Sequence, residues 1–394
     1  MDFEAKAYTR KPFEFTGKAS EYFGIWIVNI ILTILTLGIY SAWAKVRTNQ
    51  YFYGNTQLDG SAFQYLATPM QILRSRAIAA LLFAFYYSIS NIYPLAGGGL
   101  LAIILLLVPV VVVLSMSFRM RNTAYRNVTF GFKRNFKRAY LIFAGPVVAS
   151  IIILAFAVFT EIPDPELVED GQESSTPFVI LGAVFLIFFA FPFWEFLQTQ
   201  FVVDNAKYGT SAFKFEAGAS KFYKLYLMAF VIVIMIVALF GFIIGFFSSF
   251  DFSQDMSESA MMFPVMIGAS IFPLYLWMFT YIQTKKANLI YNHLLLAPTS
   301  SDHTLSSNAL SNYAFESRLT VTYMFYLYVT NTLAITVSLG LLIPWTMVRM
   351  ARYRAQTMTF LAQTDLDSFV ADQKEQVSAL GEEFGEMFDI EVGI

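Results

Sequence analysis

Apolar residues gather into eight long runs, at about 22–43, 77–95, 99–118, 139–160, 178–198, 225–250, 261–282 and 321–345. The hydrocarbon core of a bilayer takes roughly 20 consecutive apolar residues per helix. Each run is near that length, so the pattern predicts an all-α polytopic integral membrane protein. The polar stretches between the runs predict its topology. Segment 119–138 carries seven Lys or Arg residues and no acid, whereas 161–177 carries six acids and no base. Segment 251–260 repeats the acidic pattern with Asp251, Asp255 and Glu258. Lys and Arg excess marks the cytoplasmic side. The basic segments 119–138, 199–224 and 283–320 are therefore expected inside, and the two acidic loops in the periplasm. The two end runs have bases on both flanks. Full crossing would put both termini outside; entry and return would put both in the cytoplasm. The bases near each end favour return and leave crossing open.

Matched spacings suggest internal repeats. Asn29, Gly38, Trp43, Arg47 and Tyr51 share their spacing with Asn331, Gly340, Trp345, Arg349 and Tyr353, offset by 302 residues. Phe13-x-Phe15 resembles Phe213-x-Phe215, with further copies at Phe63-x-Tyr65, Phe130-x-Phe132 and Tyr313-x-Phe315. Such dyads put two rings on one face of an extended strand, or pad a helix start. Arg47-x3-Tyr51 also matches Arg121-x3-Tyr125. The expected unit is an aromatic cytoplasmic cap, a membrane segment and a basic Arg/Tyr exit. The chain then divides into a cap at 1–21, a first membrane segment at 22–76 and a hairpin at 77–118. A basic cap with a second hairpin (119–198) and a cap with a third (199–282) follow. A cytoplasmic loop (283–320), a last membrane segment (321–360) and an acidic amphipathic tail (361–394) complete it. Pro109, Pro192 and Pro273 fall in the exiting legs of the three hairpins, where proline kinks a helix.

Composition narrows the chemistry. Charged residues make up 14% of the chain, against about 25% in soluble proteins. There is no cysteine, which excludes disulfides and thiolate chemistry. His293 and His303 lack metal-site spacing, and no phosphate-binding glycine loop occurs. The sequence therefore predicts no enzyme, no cofactor, no metal and no nucleic-acid partner. The polar first 21 residues predict an uncleaved first segment, although Ala42-Trp43-Ala44 mimics a cleavage site.

The stretches Phe13–Gly17, Leu35–Arg47 and Asn55-Thr56 through Asp59-Gly60 to Phe63 resemble the YjgN-like family of bacterial inner-membrane proteins, a domain of unknown function. The resemblance is strong over 13–76 and extends plausibly to about 360. It implies a multi-pass protein of the bacterial inner membrane and no activity, substrate or catalytic residue. Tyr40 has no counterpart in the C-terminal copy, where Leu342 replaces it.

Polar residues at membrane depth are the first candidates for function. Asn29 and Asn331, with Thr33 and Thr336, line a polar pathway or serve as interhelical glue; glue is the commoner role. Glu195 is an acid inside an apolar run, expected to pair with a base such as Arg121 or Lys207. Trp43, Arg47, Tyr51, Trp345, Arg349 and Tyr353 suit cation–π, interfacial or anion contacts. In the tail, Phe369, Val370, Val377, Leu380 and Phe384 recur at helical spacing. That helix is expected to pack on the caps or dock a partner. Two functions follow. One is a transporter or channel for an unidentified small solute. The other is a membrane scaffold or assembly factor acting through caps and tail. Lipid is the expected surrounding, and a homo-oligomer or membrane-protein partner stays open.

Overall fold

The computed structural model describes residues 8–145, 148, 176–248, 256–297, 313–363 and 365–389. Most of the acidic loop 161–177, residues 251–255, the segment 298–312 with His303, and Thr364 lie outside the described residues.

The expectation of an all-α protein is overturned. Ten short strands close into an antiparallel barrel. They are β1 (Thr9–Phe15), β2 (Thr56–Leu58), β3 (Ser61–Tyr65), β4 (Thr123–Tyr125), β5 (Val128–Phe132), β6 (Ala206–Tyr208), β7 (Ser211–Phe215), β8 (Leu294–Leu296), β9 (Tyr313–Ser317) and β10 (Met358–Ala362). Helices fill the intervals: α1 (Ala19–Leu35), α2 (Ser41–Gly54), α3 (Pro69–Ile92), α4 (Pro94–Arg121), α5 (Phe136–Phe143) and α6 (Thr176–Asp204). Next come α7 (Ala219–Ser248), α8 (Met256–Tyr291), α9 (Val321–Val337), α10 (Ile343–Gln356) and the tail helix α11 (Leu366–Asp389). Among the described residues the order strand, helix, helix, strand runs five times. The two strands of each unit pair with one another, and β1 pairs β10 to close the ring.

Turn chemistry makes the barrel possible. Asp59-Gly60 joins β2 to β3 with φ of 50° and 72°, and Arg126-Asn127 joins β4 to β5 with 47° and 67°. Two-residue turns with both φ positive match the right-handed twist of the flanking strands. At the other end of the strands one bond recurs in every unit. The backbone N–H of Thr16, Leu66, Lys133, Glu216 and Arg318 donates to the carbonyl of Asn55, Asn122, Asn205, His293 and Thr357 respectively. All five helical hairpins thus leave from one rim.

Among the described residues, four stretches are long and apolar enough to cross a bilayer: Pro69–Ile92, Pro94–Arg121, Phe185–Asp204 and Ala219–Ala238. Their apolar windows are only 6–17% buried within the chain. A helix of a soluble protein hides its apolar face against a core, so the outward apolar surface here requires lipid. Pro109 and Pro192 lie inside continuous helices, and Pro273 lies within α8.

The two end runs do not each form one helix. The first is α1, a turn, and α2; the last is α9, a turn, and α10. Leu37 and Gly38 take φ of 50° and 91°, and Leu339 and Gly340 take 51° and 94°. Leu37 is 95% exposed and Leu339 94%. The turn backbone is satisfied internally: Gly38 N–H donates to Thr33 at 2.7 Å and Gly340 N–H to Ile335 at 2.8 Å. The Thr36 hydroxyl accepts from Tyr40 N–H at 2.9 Å, and the Ser338 hydroxyl from Leu342 N–H at 3.0 Å. An apolar turn with its polar backbone self-paired is what hydrocarbon tolerates. Each end run therefore folds back on itself as a helical hairpin, and β1 and β10 bring residues 9–15 and 358–362 together in the barrel.

Candidate functional site

Side chains alternate across a strand, and the inward positions of the barrel are mostly aromatic. Phe13, Phe63, Phe130, Phe213 and Phe315 form one tier, with Phe13 stacked on Phe63 at 6.1 Å and Phe130 on Phe213 at 6.4 Å. Leu58, Tyr125, Tyr208, Leu296 and Phe360 form a second tier. Between them lies a chamber of about 610 Å³, within the usual range for small-molecule sites. The tyrosine hydroxyls are turned to neighbouring backbone: Tyr125 donates to Leu58 O at 2.7 Å, and Tyr208 to Tyr125 O at 3.0 Å. The chamber therefore meets their ring faces. Burial pushes the Tyr125 phenol up to about 12 and that of Tyr208 further in the same direction.

The tail helix stoppers the barrel end where the tight turns lie. Phe369 lies 4.4 Å from the ring of Tyr313 and 6.0 Å from that of Tyr208. Gln373 is buried, and its Oε1 accepts from Thr210 N–H at 2.8 Å and from the Thr210 hydroxyl at 2.9 Å. Arg126 bridges Asp367 of the tail and Asp59, the latter at 3.1 Å; Lys11 reaches Asp59 at 2.7 Å. The Lys11 ammonium that donates to Asp59 is the main cause holding its carboxyl below the usual range, and Arg126 adds to it.

The end of the chamber facing the helices is lined by Gln283, Lys286, Ile290 and Tyr291 of α8. Lys286 pairs with Glu195 at 2.6 Å, and the Tyr226 hydroxyl donates to the same carboxylate. The acid predicted to be paired is paired, but its base comes from α8, and neither Arg121 nor Lys207 takes that place.

The other predicted residues sit within the end hairpins. Asn29 is buried, and its Nδ2 donates to Ala44 O at 3.5 Å; Thr33 donates to Asn29 O at 2.6 Å. Asn331 accepts from Arg349 at 3.1 Å and lines a cleft of about 450 Å³ with Thr346 and Arg354. Asn29, Thr33 and the exposed Thr336 do not line that cleft, and the four do not converge. Arg349 lies 5.0 Å from the ring of Trp345 and 5.2 Å from that of Tyr326. Arg47 lies 6.0 Å from the ring of Tyr40, which stacks on Trp43. Tyr51 accepts from Lys18 N–H at 2.7 Å, and Tyr353 from Thr320 N–H at 3.0 Å. Both tyrosines tie the second helix of a hairpin to the N-cap of its first helix. Tyr125 differs in kind, being a strand residue inside the barrel.

Two residue families escaped the sequence reading. Phe315, and not Tyr313, occupies the position of Phe13, so the β9 dyad is out of register by two residues. Of the even-strand tier only Tyr125 carries a motif in the sequence, there matched to a helical Arg/Tyr exit, although Asp59-Gly60 is a hairpin signal.

The family described as a bacterial protein of unknown function, DUF898, matches residues 10–387. The chain belongs to DUF898. Among its relatives is the inner membrane protein YjgN of Salmonella typhimurium, 33% identical over 35% of this chain and 36% of its own length. YjgN of Escherichia coli K12 is 25% identical over 56% of each chain. The alignments thus span about a third to just over half of these relatives. No solved structure matches the chain. The barrel and its chamber thus adjoin membrane-capable helices in a chain with inner-membrane relatives.

Proposed function

We propose that this DUF898 member carries a small solute with a largely apolar body through the barrel chamber, between its helical bundle and the compartment holding the tail. One observation carries the reading: about 610 Å³ of largely apolar, aromatic-lined space lies within the barrel, opens toward the helices carrying Val202 and Lys286, and meets a docked helix at its other end. The tier residues pack into one apolar cluster and still leave that space, whereas a small barrel commonly fills its interior with side chains. The tail that a scaffold would present to partners is seated on the barrel, which favours the chamber. The protein lies in the inner membrane with barrel and tail in the cytoplasm. Support for this sidedness is that the basic segments 119–138 and 199–224 supply barrel strands.

Photolabelling of the full chain in detergent with benzophenone, an apolar probe that reacts at Met C–H bonds, tests the chamber. Labelling is expected at Met120 and Met358, which line it. The double variant Leu58→Trp, Leu296→Trp fills the space and is expected to cut that labelling roughly tenfold, a loss of about 1.4 kcal/mol in binding. Labelling at the lipid-facing Met228 is the internal control. Equal labelling of Met120 and Met358 in both proteins would sink the proposal.

A further inference from the structure

A second cavity, of about 590 Å³, lies outside the barrel wall between β5, β6, the end of α4 and the tail helix. Its lining includes Arg121, Arg134 and Lys207 with Ser117, Thr129 and Thr210, and no acid. Among the described residues none of the three cations takes part in an ion pair. Arg134 is oriented: its Nε donates at 3.2 Å to the buried hydroxyl of Ser117. Lys207 lies across Gly131, its register partner on β5. A Cβ at Gly131 would stand 2.5 Å from Lys207 Cε, so bare backbone is what lets the lysine lie there.

We propose that this cavity binds a phosphate group with net negative charge. The three cations line the same concavity and are exposed, so solvent screens their mutual repulsion, and an anion seated among them would be attracted by all three. Two guanidinium forks and one ammonium suit phosphate oxygens, the arginines as bidentate donors and the lysine as a point charge. Arg121 ends a membrane-capable helix, which puts one edge of the site within reach of a lipid headgroup. The group belongs either to an anionic phospholipid or to free phosphate.

The test uses thermal unfolding of the full chain in neutral detergent. One arm adds phosphatidylglycerol with phosphatidylcholine as control; the other adds inorganic phosphate. Wild type is expected to rise in Tm in at least one arm. A response to phosphatidylglycerol alone assigns a lipid headgroup, and a response to inorganic phosphate assigns the free ion. The variant Arg121→Gln, Arg134→Gln, Lys207→Gln is expected to lose the response. Gly131→Ala keeps every charge but displaces Lys207, and is expected to need roughly tenfold more probe for the same shift. If wild type responds to neither probe, the site is not a phosphate site. A triple variant that responds like wild type overturns the proposal equally. Should the triple variant fail to fold, a Gly131→Ala protein with unchanged probe dependence overturns it.

Discussion

Asp59 is held by Lys11 and Arg126, and Arg126 also holds Asp367 of the tail. The depressed carboxyl of Asp59 fixes the sign of a pH effect. A carboxylate with a lowered folded value contributes stability above its unfolded value, near 3.8, and loses it as pH falls through the folded one. Tail docking is therefore expected to survive to about pH 4 and weaken only below it. Protease cleavage within 365–377 measures this. Asp59→Asn is expected to speed cleavage at neutral pH by several-fold, and an unchanged rate would remove Asp59 from the clasp. Residue chemistry was legible in the sequence where it depended on neighbours along one helix. Glu195 was visible as an acid needing a base. Its partner Lys286 lies 91 positions away, a distance that no local spacing encodes.

Among the described residues, the helices of the end hairpins are shorter than those of the hairpin at 69–121. Residues 69–92 span about 36 Å at 1.5 Å per residue, and 19–35 about 26 Å. The short pair ends in the Leu37-Gly38 and Leu339-Gly340 turns. If those turns lie in hydrocarbon, Leu37→Cys and Leu339→Cys are expected to resist a water-soluble maleimide from either side of the membrane. The native chain has no thiol, so the background is clean. Rapid labelling from the side opposite the barrel would instead mean that the turns of the end hairpins reach the far face of the membrane. Gly38→Ala in the same turn is expected to cost about 1–2 kcal/mol, because an L side chain resists that backbone. The long helices were readable because apolar runs are a strong signal. The strands were not, since β2, β4, β6 and β8 have three residues each. Three positions are too few for an alternation to stand out beside runs of twenty. The aromatic dyads at Phe13, Phe63, Phe130 and Phe213 were the one visible trace of the chamber wall.

At the scale of the molecule the barrel is a ring whose last seam joins β1 to β10. Deleting residues 1–15 removes one side of that seam and leaves β2 and β10 as open edges. The deletion is expected to abolish benzophenone labelling at Met120 and Met358 and to promote association through the bared strands. Retained labelling with a monodisperse product would mean that the ring does not depend on closure. The seam also sets an order of events in the cell. A ribosome delivers β1 first and β10 more than three hundred residues later, so the ring can lock only after every helical hairpin has been synthesised. Until then the newborn chain carries a bare strand edge and a half-built aromatic wall, and shielding both during synthesis is the burden this architecture places on its host.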